Sequence, residues 1–377
     1  MIPLFKVAMN SNIDKSILEI MHSGMITQGN KVEEFEEKLK QIFNHPYILT
    51  LNSATAGLTL AHRLYEEDNT QIEVLSTPLT CFATNVPIMA NRMKIKWVDV
   101  DIETCNMDLE DLKRKITNKT KILTFVHWGG NPINYKRLYE ILDEKEQEFG
   151  FRIKIIEDCA HGLFSKYNND YIGKDNISVF SLQAIKHLTT GDGGLIFLPN
   201  KELYERAKLL RWFGIDRDKR NYKKKDLRLE NDIKEWGYKF HMNDINATIG
   251  LSNLEIINDN ITQHKFNFNL FNEKFKNLKN IKTLKQYGES SSWIYTLIVD
   301  DAENFIEFMK QRNIMASQVH KRNDVHSCLS EFKTELPNLD FLENKYVCIP
   351  CGWWVQEQEQ NSIINSVLEY NNNEFEL

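Results

Sequence analysis

The chain has 377 residues, 42% of them hydrophobic, with 47 Lys and Arg against 53 Asp and Glu and a formal charge of −6. That supports two domains, or one large domain with a lobe; the acidic balance argues against a nucleic-acid binder, and no apolar run approaches the ~18 residues of a membrane span. The opening stretch MIPLFKVAMNSNIDKS has neither a secretory signal's apolar centre nor an Arg-rich transit composition, so the expected location is the cytoplasm.

In chain order, short apolar runs alternate with helical patterns. YILTLNS (47–53) precedes the helix pattern ATAGLTLAHRLYEE; IEVLSTP (72–78), KIKWVDVD (94–101), KILTFVHWGG (121–130), IKIIEDCA (153–160), ISVFSLQ (177–183) and GGLIFLP (193–199) follow. MDLEDLKRKI and YKRLYEILDEKEQEFG read as helices between them. Such alternation predicts an α/β fold with a mostly parallel sheet covered on both faces, with ligands bound outside the carboxyl ends of its strands. From 217 to 230 seven Lys and Arg stand against three Asp and Glu, a composition that reads as a solvated loop. The stretch from Phe240 to Phe275 reads as one long helical pattern joining two lobes, SSWIYTLIVD and KYVCIP as strands of a smaller α+β lobe, and the closing EYNNNEFEL as a frayed tail. The expected division is a large domain over 1–250 and a small C-terminal domain over 251–377. Six scattered cysteines make no disulfide framework, and one C-x-x-C pair (Cys348 and Cys351) makes no metal site.

One lysine stands out. FSLQAIKHLTTGDGG places Lys186 between the end of an apolar strand and a glycine-rich turn, where a lysine without a partner is rare. IKIIEDCAH ends another apolar run on Glu157 and Asp158, 28 residues earlier. Pyridoxal phosphate uses this pair: its aldehyde condenses with a lysine, and an acid keeps its ring nitrogen protonated so that the ring draws in electrons. The step from strand to helix through NSATAG offers backbone amides with the hydroxyls of Ser53 and Thr55 as an anion site, and Ser181 adds another hydroxyl. His161, three residues after Asp158, is placed to lie against the ring or to bond its phenolic oxygen; TPLTCFATN (77–85) offers Cys81 or Phe82 for the opposite face. The absence of G-x-G-x-x-G after the first strand argues against a dinucleotide-dependent oxidoreductase.

In that order NSATAGLTLA, TPLTCFATN, IEDCAHG and FSLQAIKHLTTGDGG resemble the DegT/DnrJ/EryC1/StrS family of nucleotide-sugar aminotransferases, as does TQGNKVEEFEEKL at 27–39. The resemblance implies the type I fold of pyridoxal-phosphate enzymes, with Lys186 bonded to the cofactor, Asp158 on the ring nitrogen and His161 by the ring. It also implies that Thr55, Ala56 and Ser181 hold the phosphate. In a homodimer with shared active sites, Lys239 of GYKFHMND would reach the neighbour's phosphate from the place where many members have asparagine. Members acting as dehydratases have histidine in place of the lysine, so Lys186 implies transamination. The implied reaction moves an amino group from glutamate to a nucleotide-linked keto sugar, at C4 of a 4-keto-6-deoxyhexose. The alternatives are C3 of a 3-keto sugar, or a regulator that binds the cofactor without turnover. HWGGNP (127–132), RWFGIDR (211–217), the basic loop and ASQVHKRND (316–324) are the candidate substrate contacts.

Overall fold

The computed structural model describes residues 1–66, 72–217 and 232–372. Most of the basic stretch, from 218 onward, and residues 373–377 of the polar tail lie outside them.

Helices α1 (Ile13–His22) and α2 (Asn30–Phe43) lead into strand β1 (Ile48–Leu51). Then come α3 (Ala54–Leu64), β2 (Glu73–Ser76), α4 (Phe82–Ala90), β3 (Lys94–Trp97), α5 (Leu109–Lys115), β4 (Thr120–Val126), α6 (Tyr135–Phe149) and β5 (Lys154–Asp158). A small hairpin, β6 (Lys166–Tyr167) and β7 (Asp170–Tyr171), precedes β8 (Ile177–Ser181) and β9 (Gly194–Phe197). The crossover helices start where a side chain satisfies their free N–H groups. Ser53 accepts from Ala56 N at α3, Asp108 from Glu110 N and Asp111 N at α5, and Asn134 from Arg137 N at α6.

These strands form one sheet in the order β1-β9-β8-β5-β4-β2-β3. Only β9 runs against the others. The chain between β8 and β9 contains no helix to carry it back across the sheet, so the strand returns antiparallel. Successive strand residues feed two cores. Leu49, Leu51, Ile156, Val179 and Ile196 pack on one face; Ile48, Ile155, Phe180, Leu195 and Phe197 pack on the other. A sheet buried on both faces needs this two-sided apolar content.

α7 (Lys201–Leu210) and α8 (Asp244–Asn253) pack into the cores of the large sheet, and α9 (Ile257–Phe275) runs from there into a second lobe. The single helical pattern expected from Phe240 to Phe275 is therefore two helices. Asn253, at the end of α8, spends its side chain on tertiary partners, accepting from Asn10 N at 2.8 Å and donating to Thr189 O at 2.9 Å. Beyond α9, β10 (Lys282–Thr283), β11 (Tyr295–Ile298), α10 (Ala302–Gln311), α11 (Pro337–Leu342), β12 (Tyr346–Ile349) and α12 (Glu357–Asn372) complete the chain. The sheet β10-β11-β12 is antiparallel and has its own core, including Phe271, Tyr295, Leu297, Phe305, Val347 and Val367. The first residues join this lobe: Ile2 bridges Ile314, and Trp354 Nε1 donates to Pro3 O at 2.9 Å. Glu369 to Asn372, expected to fray, continue α12, because Tyr370 packs on Phe305 and Phe308. Cys348 and Cys351 are both buried and unbridged. Among the described residues no helix is long and apolar enough to cross a membrane.

Candidate active site

The parallel strands β1, β8 and β5 end on one rim, where β9 begins. Asp158 closes β5 and is 3% exposed. Its Oδ2 accepts from Thr84 Oγ1 at 2.6 Å and its Oδ1 from Ala160 N at 3.0 Å. Thr84 donates to Asp158, so it must accept from Thr80 Oγ1, 2.7 Å away. A carboxylate has about four acceptor positions, so two remain on Asp158 for a further donor. Burial raises its pKa above the ordinary carboxyl value, while the bonds from Thr84 and Ala160 and the charge of Lys186 oppose that rise.

Lys186 lies in the turn after β8, half-buried and packed about by protein. Burial brings its pKa from an ordinary lysine value down to about 7, against the upward pull of Asp158 and Cys81. Its Nζ lies 3.4 Å from the ring centroid of Trp293. Near neutral pH this amine exists in both protonation states, as a group that must be nucleophile, base and acid in turn requires.

His161 is 2% exposed and stacks on Trp293 with centroids 4.0 Å apart. Its Nδ1 accepts from Gly129 N at 3.4 Å, which leaves the proton on Nε2, 3.5 Å from His320 Nε2. Burial and the neighbouring Lys186 hold His161 far below the ordinary imidazole value; burial takes His320 to about 4. Both rings are neutral at neutral pH.

On the other side of Lys186 the rim is built for close approach. Gly194 pairs with Leu51 on one side and Ser181 on the other. A Cβ on Gly194 would lie 2.6 Å from backbone atoms of Ser53 and Ala54, so only glycine lets the start of α3 sit against β9. This brings Thr55 and Ala56, in the first turn of α3, to the same rim as Ser181. Ala56 N–H is engaged by Ser53 Oγ at 3.1 Å, so Ala56 can bind an anion only by sharing or exchanging that bond. The segment carrying Lys239 is also pinned here: Asn52 N donates to Phe240 O at 2.7 Å and Asn52 Nδ2 to Lys239 O at 3.3 Å, while the Lys239 side chain is exposed.

Several candidate substrate contacts turn inward. His127 is fully buried and donates from Nε2 to Glu157 at 2.9 Å. Arg211 is buried in an ion pair with Glu36 at 2.6 Å. Arg322 is buried against Asp324. Of the two residues proposed for the second ring face, Phe82 packs edge-on against His326 and Cys81 caps α4, its thiol acting on Lys186. Thr84, Trp293 and His320 went unassigned in the sequence. Thr84 had a signal, a hydroxyl four residues after Thr80 within TPLTCFATN; Trp293 and His320 lie about 107 and 134 residues after Lys186 in the chain, with no local pattern tying them to it.

An amine poised near neutrality, a buried carboxylate with spare acceptor positions and a helix N-terminus beside a serine hydroxyl are the donor set that pyridoxal phosphate requires. The residues fit it.

The model of the DegT/DnrJ/EryC1/StrS aminotransferase family matches residues 7–368. The solved structure of AtS13 from Actinomadura melliaura superposes with a TM-score of 0.94 at 42% identity, covering 98% of each chain. The sugar aminotransferase CalS13 from Micromonospora echinospora gives 0.93 at 36% identity, over 98% of this chain and 100% of its own. Among curated proteins, the UDP-4-amino-4,6-dideoxy-N-acetyl-beta-L-altrosamine transaminase of Campylobacter jejuni is 28% identical over 80% of this chain and 77% of its own length.

Proposed function

This chain belongs to the DegT/DnrJ/EryC1/StrS aminotransferase family, and from that premise we propose that it transfers the amino group of glutamate to C4 of a nucleotide-linked 4-keto-6-deoxyhexose, using pyridoxal phosphate. The observation that carries the reading is the Lys186 amine, brought by burial to about 7 and acted on by the charge of Asp158 at a parallel strand end. The nucleotide-sugar part draws on the relatives: the C. jejuni transaminase is named for a 4-amino-4,6-dideoxy sugar on UDP.

When bound, the cofactor would supply an electron-withdrawing ring and an aldehyde that carries the amino group between donor and acceptor. The work of this chain's residues follows from their chemistry. Lys186 Nζ would hold the cofactor through its aldehyde and, when free, would serve as the base and acid for the donor's α-proton. Asp158 would keep the ring nitrogen protonated through its spare acceptor positions, and Thr84 and Ala160 fix the carboxylate so that it need not reorganise. Thr55, Ala56 and Ser181 would bind the phosphate, and His161, a neutral imidazole, would lie beside the ring. Lys239, exposed at the rim, would reach the phosphate of a second copy. The exposed apolar side chains of Leu18, Met21, Met25 and Ile26, on α1 and just beyond it, are suited to such a neighbour.

The test supplies purified protein with glutamate and matched 4-keto and 3-keto nucleotide sugars, reading 2-oxoglutarate release and identifying the product by NMR. Amination at C4, with free sugars reacting poorly because they lack the remote binding energy of the nucleotide diphosphate, is the expected result. Amination only at C3 would move the position and leave the cofactor assignment standing; a yellow protein that never releases 2-oxoglutarate would be a regulator. For the shared site, mixing inactive Lys186→Ala and Lys239→Glu proteins should restore part of the activity, and a fully active monomer in sedimentation would end that part of the reading.

A further inference from the structure

We propose that Trp293 is a positioning residue for Lys186: its indole face is the resting place of the Nζ amine whenever that amine is not bonded to a cofactor. This rests on the transaminase reading, in which the lysine must be released and recovered in every half-reaction.

Three independent sets of contacts support it. The Nζ atom lies 3.4 Å from the Trp293 ring centroid, well within cation–π range. The segment around Trp293 is fastened to both chain neighbours of Lys186. Trp293 Nε1 donates to Ile185 O at 3.0 Å, and His187 Nε2 donates to Ser291 O at 2.9 Å. Indole and lysine backbone are therefore held in one frame although they lie 107 residues apart in the chain. The indole itself has little freedom: Trp293 N donates to Gly129 O at 3.1 Å, and the ring stacks on His161 at 4.0 Å and on Phe5 at 4.8 Å. The backbone leading into it adopts φ +60 at Ser292, with Ser292 N held by Ser290 Oγ at 2.9 Å and Ser292 O accepting from His264 Nδ1 at 2.8 Å.

An aromatic face suits this task better than a carboxylate would. It attracts an ammonium group, yet it accepts no proton and forms no directed hydrogen bond that must break before the amine can react. The other titratable groups acting on Lys186 are Asp158 from β5, Cys81 at the start of α4, His161 after β5, its neighbour His187, and His320 from the second lobe. The three imidazoles are held neutral by burial and supply no competing charge near neutral pH.

The experiment measures the pH profile of Lys186 acylation by acetic anhydride, read by peptide mass spectrometry. It uses the full-length protein after glutamate treatment, which leaves the amine free. Wild type and Trp293→Phe should share one profile. Trp293→Leu and Trp293→Met should acylate with an apparent pKa about one unit lower, a tenfold weaker hold on the proton. A profile unchanged in the Leu and Met proteins, shifted upward, or shifted equally in Trp293→Phe would overturn the proposal. A second measurement needs no Trp293 variant: the near-UV indole difference spectrum should show a step near neutral pH in wild type that Lys186→Met abolishes. A step that survives Lys186→Met, or no step in wild type, would also overturn it. The transaminase reading fails separately: a protein without visible absorption has its amine free as isolated, and in a yellow protein that releases no 2-oxoglutarate hydroxylamine frees it, so the acylation profile can be read in either event.

Discussion

Glu157 and Asp158 are consecutive carboxylates on one strand, 1% and 3% exposed, and they do opposite things. Strand alternation sends them to opposite faces of the sheet. Glu157 meets three donors: His127 Nε2 at 2.9 Å, Asn176 Nδ2 at 2.6 Å and the hydroxyl of Tyr135. His127 is itself fixed, because its Nδ1 accepts from Ile133 N at 3.1 Å and so its proton must sit on Nε2. Cys159 lies close enough to join His127 and Glu157 in a triad of potential metal ligands, but Glu157 is already committed to its donors. Asp158 takes only two donors and lies within the field of a lysine. A buried carboxylate gripped by three donors holds a structure together; one with two spare acceptor positions beside an amine is available for chemistry.

The largest effect expected on the chemical side of this strand is from Lys186→Ala, which should remove the visible absorption of the bound cofactor and all turnover; catalysis at the wild-type rate would sink the assignment. Asp158→Asn should slow turnover by ~10²-fold or more, since an amide cannot keep the ring nitrogen protonated. Unfolding measurements should show this protein close to wild type, and a near-normal rate would make Asp158 structural. Thr84→Val removes one hydrogen bond to a charged acceptor, which at roughly 1.5 kcal/mol corresponds to about a tenfold loss in rate or cofactor affinity. Rates equal to wild type would show that Ala160 N–H alone orients the carboxylate. Glu157→Gln inverts the pattern. Its amide faces three donors with a donor of its own, so the midpoint of chemical denaturation should fall by an amount corresponding to about 2–4 kcal/mol. The folded enzyme should keep a rate within a few-fold of wild type; a loss as large as that of Asp158→Asn would erase the distinction between the two carboxylates.

The pH dependence sharpens the same contrast. The folded pKa of Lys186 lies at about 7, so the neutral, nucleophilic amine is the minority form below that value and the majority form above it. Recombination of cofactor-stripped protein with pyridoxal phosphate, followed by absorbance, should therefore accelerate as pH rises through about 7 and level off above it. A profile that keeps rising toward an ordinary lysine value would mean that water reaches the amine.

Much of this was legible in the residues because it is local. A lysine between an apolar strand and TTGDGG, an acid closing an apolar run, and small hydroxyl residues entering a helix are each set within ten residues of chain, and strand-helix alternation is enough to predict the parallel sheet and its ligand-binding rim. The order of the strands, the reversal of β9 and the break between α8 and α9 depend on which segments meet, and no local pattern carries that. The family resemblance singled out Asp158 from the ED pair, but the part played by Glu157 was hidden: only packing decides that His127, Tyr135 and Asn176 crowd one face while Thr84 and Lys186 wait on the other. Sequence alone determined the chemistry available at the strand ends. The tertiary structure decided which of those groups keeps unused hydrogen-bonding capacity, and it placed Trp293, more than one hundred residues further along the chain, within 3.4 Å of the one amine whose freedom matters.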